Sequence, residues 1–224
     1  MPTERKGVLF DVDGTLVDSN YLHVAAWLRA LRDNGYDTTT GADLHRHVGM
    51  GAGLLLDTLV GEDADHDALK DAHAKAYEEQ WPYLRPFAGA VDLLREVRRR
   101  GGESVLATSA TEEEAEVLRR TLDCDDAISE ITSSADVEEA KPAPDIFQTA
   151  MAKTGLDPAN VVVVGDTRWD VEAAAKAGLR TVAVLSGGVP EAVLREAGAV
   201  EVYDDAAALL AAFEQSALGS LLSD

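Results

Sequence analysis

Gly7-Val8-Leu9-Phe10-Asp11-Val12-Asp13-Gly14-Thr15-Leu16-Val17-Asp18 is the stretch on which the reading of this chain turns. Four apolar residues run without alternation and stop at two aspartates spaced by one residue, with a glycine behind them. An unbroken apolar run of this length reads as a strand buried on both faces, the habit of a parallel sheet. Three similar runs follow. Residues 104–107 end at Thr108-Ser109, residues 161–164 end at Gly165-Asp166, and residues 181–185 form the third. Residues 127–132 and 200–203 read as shorter strands, the latter at an edge.

Helical patterns separate these strands. Residues 112–122 start behind Thr111 as an N-cap with an acidic first turn, and residues 144–154 stop at Gly155. Residues 170–177, 190–197 and 206–214 follow, with the last few residues of the chain expected to fray. Strand alternating with helix predicts right-handed crossovers and a doubly wound, Rossmann-like α/β sheet. From residue 18 to residue 85 no strand is evident. Residues 19–34 read as an amphipathic helix with Tyr21, Leu22, Ala25, Leu28 and Leu31 inward, and residues 53–59 and 67–81 as two more. This predicts an α-helical cap domain, residues 18–85, inserted into a catalytic core made of residues 1–17 and 86–224, with hinges near Val17 and Pro86. An insertion directly after the first strand sits over the carboxyl ends of the sheet, where open α/β sheets bind ligands.

Each strand end carries something polar: Asp11 and Asp13, Thr108 and Ser109, Asp166 and Asp170, with Lys141 starting the helix that leads to the third of these ends. In a parallel sheet these ends share one edge, so residues far apart in sequence converge. Asp11, Asp13, Asp166 and Asp170 cannot all stay ionised at close range without a cation. Hard oxygen ligands of this kind suit Mg²⁺, which shares phosphate oxygens with its substrate. Asp11 is then placed to attack phosphorus, and Asp13 to protonate the leaving oxygen and later deprotonate a water. Thr108 and Lys141 would hold the transferring oxygens.

Asp11-Val12-Asp13-Gly14-Thr15-Leu16-Val17-Asp18, Leu106-Ala107-Thr108-Ser109, Lys141-Pro142-Ala143-Pro144 and Gly165-Asp166-Thr167-Arg168-Trp169-Asp170 resemble, in order and spacing, the four motifs of haloacid-dehalogenase superfamily hydrolases. The helical insertion resembles the cap of the branch holding phosphoglycolate phosphatases and β-phosphoglucomutases. The resemblance implies that Asp11 is nucleophile and metal ligand, and that Asp13 is the general acid/base with its carbonyl on the metal. It implies that Thr108, Ser109 (through its N–H) and Lys141 bind phosphate, and that Asp166 and, through water, Asp170 serve the metal. Asp170 also reads as a plain N-cap. The function implied is a Mg²⁺-dependent phosphatase acting on a small phosphorylated metabolite, with a phosphomutase as the alternative. Gly49-Met50-Gly51-Ala52 lacks the arginine that mutase caps carry there, although Arg46 or Lys75 could substitute. The second aspartate, Asp13, argues against a dehalogenase.

Composition sets the outer limits. The 224 residues are 46% hydrophobic and 27% charged, as in ordinary globular proteins. The formal net charge of −21 makes nucleic acid a poor partner and raises high-salt adaptation as one origin of the acidity. No run approaches the roughly 20 apolar residues of a membrane helix, and the charged start has no signal-like segment, so a cytoplasmic location is expected. Cys124, the single cysteine, reads as a small core residue. Among the histidines, His23 and His47 are candidate substrate contacts from the cap, and His45 and His47 alternate as in a strand. Oligomeric state has no signature in the sequence.

Overall fold

The computed structural model describes residues 5–223. Among them six parallel strands form one sheet: β1 (Gly7–Phe10), β2 (Glu103–Ala107), β3 (Ile128–Thr132), β4 (Val161–Gly165), β5 (Arg180–Val184) and β6 (Glu201–Tyr203), in the order β3-β2-β1-β4-β5-β6. The chain builds outward from β1 in one direction, then returns to its other side, so the topological switch lies beside β1. The helices are α1 (Asn20–Asp33), α2 (Gly41–His45), α3 (Ala52–Val60), α4 (His66–Glu78), α5 (Ala90–Arg99), α6 (Glu112–Leu122), α7 (Asp145–Thr154), α8 (Arg168–Lys176), α9 (Glu191–Ala197), α10 (Ala206–Ala211) and α11 (Ala217–Leu222). None is long and apolar enough to cross a membrane.

The side chains of β1, β2 and β4 alternate between two cores. Val8, Phe10, Val162 and Val164 face Leu93, Leu94 and Val97 of α5, with α10 and α11 on the same side. Leu9, Val105, Val161 and Val163 face Ile146, Phe147 and Ala150 of α7 and Ala173 and Ala174 of α8. Both faces are therefore covered, which is why these strands read as unbroken apolar runs. Cys124 is buried in the first core, and burial pushes its thiol up to about 11.

Residues between β1 and α5 form no named strand, as expected, but their helices differ from the reading in detail. The buried face of α1 is Val24, Ala26, Trp27, Ala30 and Leu31, whereas Tyr21 and Ala25 are exposed. Val24, Trp27 and Leu31 pack with Leu44, Leu55, Leu56 and Leu69 in a core of their own. Trp27 and Leu31 are four apart, and the true stripe runs about one position away from the one assigned by counting leucines. His45 ends α2 and His47 follows it, so their alternation is not that of a strand; a capping box between Thr40 and Asp43 starts this short helix. Toward the C-terminus α11 buries Leu218, Leu221 and Leu222 rather than fraying, and Asp224 lies outside the described residues.

Candidate active site

Strand register fixes the level at which the polar residues emerge. Phe10 pairs with both Leu106 and Val164. Asp11, Thr108 and Asp166 are one or two residues beyond those partners and so emerge together at the carboxyl edge. Asp11 still donates its N–H to the Val164 carbonyl at 2.9 Å; the chain then folds into a loop in which Leu16 and Val17 donate to Val12 O. Gly14 turns this loop with φ +76, and a Cβ there would crowd Asp166 and Asn20.

Three buried carboxylates gather at one point, and a buried ammonium pairs with two of them. Lys141 Nζ lies 2.5 Å from Asp11 Oδ1 and 2.6 Å from Asp170 Oδ1. Carboxylate oxygens of Asp11, Asp166 and Asp170 come within 4.8 Å of one another. Thr15 Oγ1 lies 3.2 Å from Asp11 Oδ2 and 3.0 Å from Asp166 Oδ1, and its single proton serves one of them at a time. Burial pushes the Asp11 carboxyl up to about 7; Lys141 opposes this, and Asp170 and Asp13 add to it. Burial, then the charges of Asp11 and Asp170, hold Asp166 well above the ordinary carboxylate range. The set is short of positive charge. Asn20 Oδ1, buried beside it, also has no hydrogen-bond partner. An all-oxygen, charge-deficient cluster of this kind fits a hard divalent cation.

Asp170 does not start its helix. Thr167 is the N-cap of α8 and Asp170 closes the capping box, accepting from Thr167 N at 2.9 Å and Thr167 Oγ1 at 2.6 Å. One oxygen therefore caps the helix while the other faces Lys141. That dual duty explains why a cap reading and a site reading both fitted the sequence.

Asp13 sits apart from this cluster and is held differently. It accepts from Ser19 Oγ at 2.6 Å and from Thr108 Oγ1 at 3.2 Å, and His23 Nε2 lies 3.4 Å away. Burial alone would raise its carboxyl, but His23, Ser19 and Thr108 outweigh burial and hold it below the ordinary range. His23 comes from α1 and stacks on Tyr77 of α4 at 3.8 Å; its Nδ1 lies 3.3 Å from Nε2 of His73, whose imidazole is held well below its ordinary range by burial and by the neighbouring His23.

A cavity of about 440 Å³ opens over Asp11 and Asp13, lined by Ser109 and Ala110 from below and by Trp27, Val48, Met50, Leu55 and His73 from the helical segment. The Gly49-Met50-Gly51 loop faces it. His23 reaches the cavity, but His47 is not among its lining residues and instead hydrogen-bonds the Asp43 carbonyl of its own turn. His45, read only as part of a strand pattern, contacts Gly187 O at 2.9 Å and stacks on Tyr21. The sequence reading missed Thr15, Ser19, Asn20, His73 and Gly187. Ser186-Gly187-Gly188 follows β5, so the rule that strand ends carry chemistry could have flagged it. A Cβ on Gly187 would overlap Asp166 Oδ2.

The haloacid dehalogenase-like hydrolase family matches residues 8–184. Phosphoglycolate phosphatase of Pseudomonas putida is 31% identical over 226 residues, which cover 97% of this chain and 83% of that protein. Phosphorylated carbohydrates phosphatase of Thermotoga maritima is 30% identical, with 87% of this chain and 92% of that protein covered. The crystal structure of a hydrolase from Pseudomonas syringae superposes with a TM-score of 0.89 at 34% identity, over 94% of this chain and 99% of that one. The matched span begins in β1 and ends in β5, enclosing Asp11, Asp13, Thr108, Lys141, Asp166 and Asp170, and the chain belongs to the haloacid dehalogenase-like hydrolases.

Proposed function

We propose that this chain is a Mg²⁺-dependent phosphatase that hydrolyses a small phosphorylated metabolite through an aspartyl-phosphate, with residues 18–85 acting as a cap over the site. The observation that carries this reading is the separation of two carboxyls with opposite environments. Asp11 lies in the charge-deficient cluster against Lys141, and Asp13, two residues on, is held by three donors outside it. One suits a nucleophile and the other a proton carrier.

When bound by Asp11, Asp166 and Asp170 and the Asp13 carbonyl, Mg²⁺ would neutralise the repulsion between the Asp11 carboxylate and an anionic phosphate. An Asp11 oxygen attacks phosphorus while the bond to the leaving oxygen breaks, and Asp13 gives that oxygen its proton. The negative charge of the arriving phosphate opposes the low pKa of Asp13 and favours the protonated form this step needs. A water then attacks the aspartyl-phosphate, Asp13 takes its proton, and the Asp11–phosphorus bond breaks to release inorganic phosphate. Lys141, Thr108 and the N–H groups of Ser109 and Ala110 are suited to hold the transferring oxygens. His23 links the cap to Asp13, so seating of the cap and orientation of the acid/base go together.

The cavity lining favours hydrolysis over mutase chemistry. A phosphomutase must hold a second phosphate on the cap side. Lys70 is the one lysine lining the cavity among the described residues, and no arginine lines it. Arg46 is exposed and paired with Asp43 at 2.5 Å, and Lys75 faces an outer cleft with Asp71, Glu78 and Glu112. Neither adds a second cap-side cation beside Lys70. The test is phosphate release from p-nitrophenyl phosphate, phosphoglycolate and hexose phosphates, with and without Mg²⁺, beside Asp11→Asn. Mg²⁺-dependent release that the variant loses is the expected result; equal release by the variant would overturn the nucleophile assignment.

A further inference from the structure

The first turn of α1 breaks the usual rules of a helix start. Ser19 is its N-cap, yet the Ser19 side chain makes no capping bond and donates instead to Asp13 at 2.6 Å. Forgoing a serine cap leaves an N–H of the first turn without its usual side-chain acceptor and costs helix stability. Asn20, the next residue, is 3% exposed, so its amide is withdrawn from water. Its Nδ2 donates to Asp166 Oδ2 at 2.8 Å and to Gly187 O at 3.3 Å. Both partners are acceptors, which fixes the orientation of the amide. Gly14 and Gly187 keep the slot open, because a Cβ on either would crowd Asn20 Nδ2 and Asp166 Oδ2 together.

We propose that Asn20 is a positioning residue for the metal carboxylate Asp166, so that metal affinity depends on the first helix of the cap being seated. The inference rests on the reading that Asp166 holds the metal. Asp166 has two side-chain donors, Thr15 from the β1 loop and Asn20 from α1. Thr15 is shared with Asp11, so Asn20 is the donor dedicated to Asp166. Outer partners of this kind orient a ligand, and their loss weakens metal binding by about 10–100-fold. The Gly187 carbonyl extends the link, since it also meets His45 Nε2 from α2 at 2.9 Å. By linkage, whatever seats α1 tightens the metal, and the metal seats α1 by the same factor.

The test is a Mg²⁺ titration by calorimetry and by thermal shift on the full chain, comparing wild type, Asn20→Ala and Asn20→Leu. The leucine fills the volume without a donor and covers the case in which alanine costs the fold. The expected result is a Mg²⁺ Kd weakened about 10–100-fold, with kcat and substrate KM recovering at saturating Mg²⁺. A variant that unfolds merely for want of packing would not show this recovery. Wild type that binds Mg²⁺ while both variants bind it equally well would overturn the inference and leave the phosphatase reading standing. Wild type that binds no Mg²⁺ would overturn the metal reading and the inference with it.

Discussion

Replacing Asp11 with asparagine should make the metal-free protein more stable even as it removes turnover. The Asp11 carboxyl is pushed from 3.8 to about 7, first by burial and then by Asp170 and Asp13 against the pull of Lys141. A folded-state pKa raised above the unfolded value means that the group favours folding while protonated. That contribution is complete below the unfolded pKa and is lost as pH rises through the folded pKa. A shift of roughly three units at about 1.4 kcal/mol each amounts to about 4 kcal/mol by pH 8. Asparagine keeps the shape and never ionises. Comparing the two proteins at each pH cancels the titration of groups that do not interact with Asp11, such as His73, whose lowered pKa acts in the opposite direction; Asp166, raised in part by the Asp11 charge, is relieved by the same substitution and widens the gap in the same direction. Urea unfolding in EDTA should therefore show the variant ahead by less than about 1 kcal/mol near pH 4, and by about 4 kcal/mol at pH 8. Mg²⁺ should then narrow the gap, because at 100 times its Kd it adds about 2.7 kcal/mol to whichever protein binds it, and wild type binds it better. If the variant is no more stable than wild type at pH 8, the buried carboxylates are not in conflict and the electrostatic case for a cation fails.

Asp13→Asn should slow p-nitrophenyl phosphate turnover by about 10²–10⁴-fold; rates within a few fold of wild type would mean that another group moves the proton. Lys141→Met removes the ammonium shared by Asp11 and Asp170, and urea unfolding at pH 8 should show a loss of about 3–5 kcal/mol. A loss under about 1 kcal/mol would mean that these carboxylates do not need the ion pair. Gly187→Ala places a Cβ on Asp166 Oδ2 and should cost about 1–3 kcal/mol together with part of the Mg²⁺ affinity, whereas an unchanged Tm would show that the loop after β5 yields freely. The net charge of −21 predicts a Tm that climbs as NaCl goes from about 0.05 to 1 M, since added salt shortens the screening length from over 10 Å to about 3 Å; a flat profile would count against self-repulsion as a burden on this fold.

The core was legible because its signal is local. Val161 to Val164 read as a strand, and Thr111 with the acidic first turn behind it announced the start of α6, where the structure places Thr111 as the N-cap. The polar strand ends were legible because one topological rule, a parallel sheet, brings them to one edge. The helical segment was less so. Its buried stripe depends on how four short helices meet, and no pattern within α1 says that Val24 and Trp27 rather than Tyr21 and Ala25 face Leu44 and Leu69. The contacts of Asn20 and His45 with Gly187 span 167 and 142 residues, so no local pattern encodes them.

Where the chain departs from its own local rules, the departures gather at one place. Thr40, Thr111 and Thr167 each cap a helix with a reciprocal box, but Ser19, equally suited to it, gives its hydroxyl to Asp13. Asn20 buries an amide with one oxygen unpartnered, and Lys141 buries an ammonium at 1% exposure. Each of these costs stability on its own, through a lost cap, an unpaired acceptor or a desolvated charge. A fold under no functional demand would be expected to repair such faults singly, because stabilising substitutions at independent positions are easy to find. Here they cannot be repaired singly: a capping Ser19 releases Asp13, an apolar residue at 20 releases Asp166, and an apolar residue at 141 leaves Asp11 and Asp170 unpaired. The strain is therefore shared among one set of contacts, and the same set joins the start of α1 to both carboxyl environments of the site.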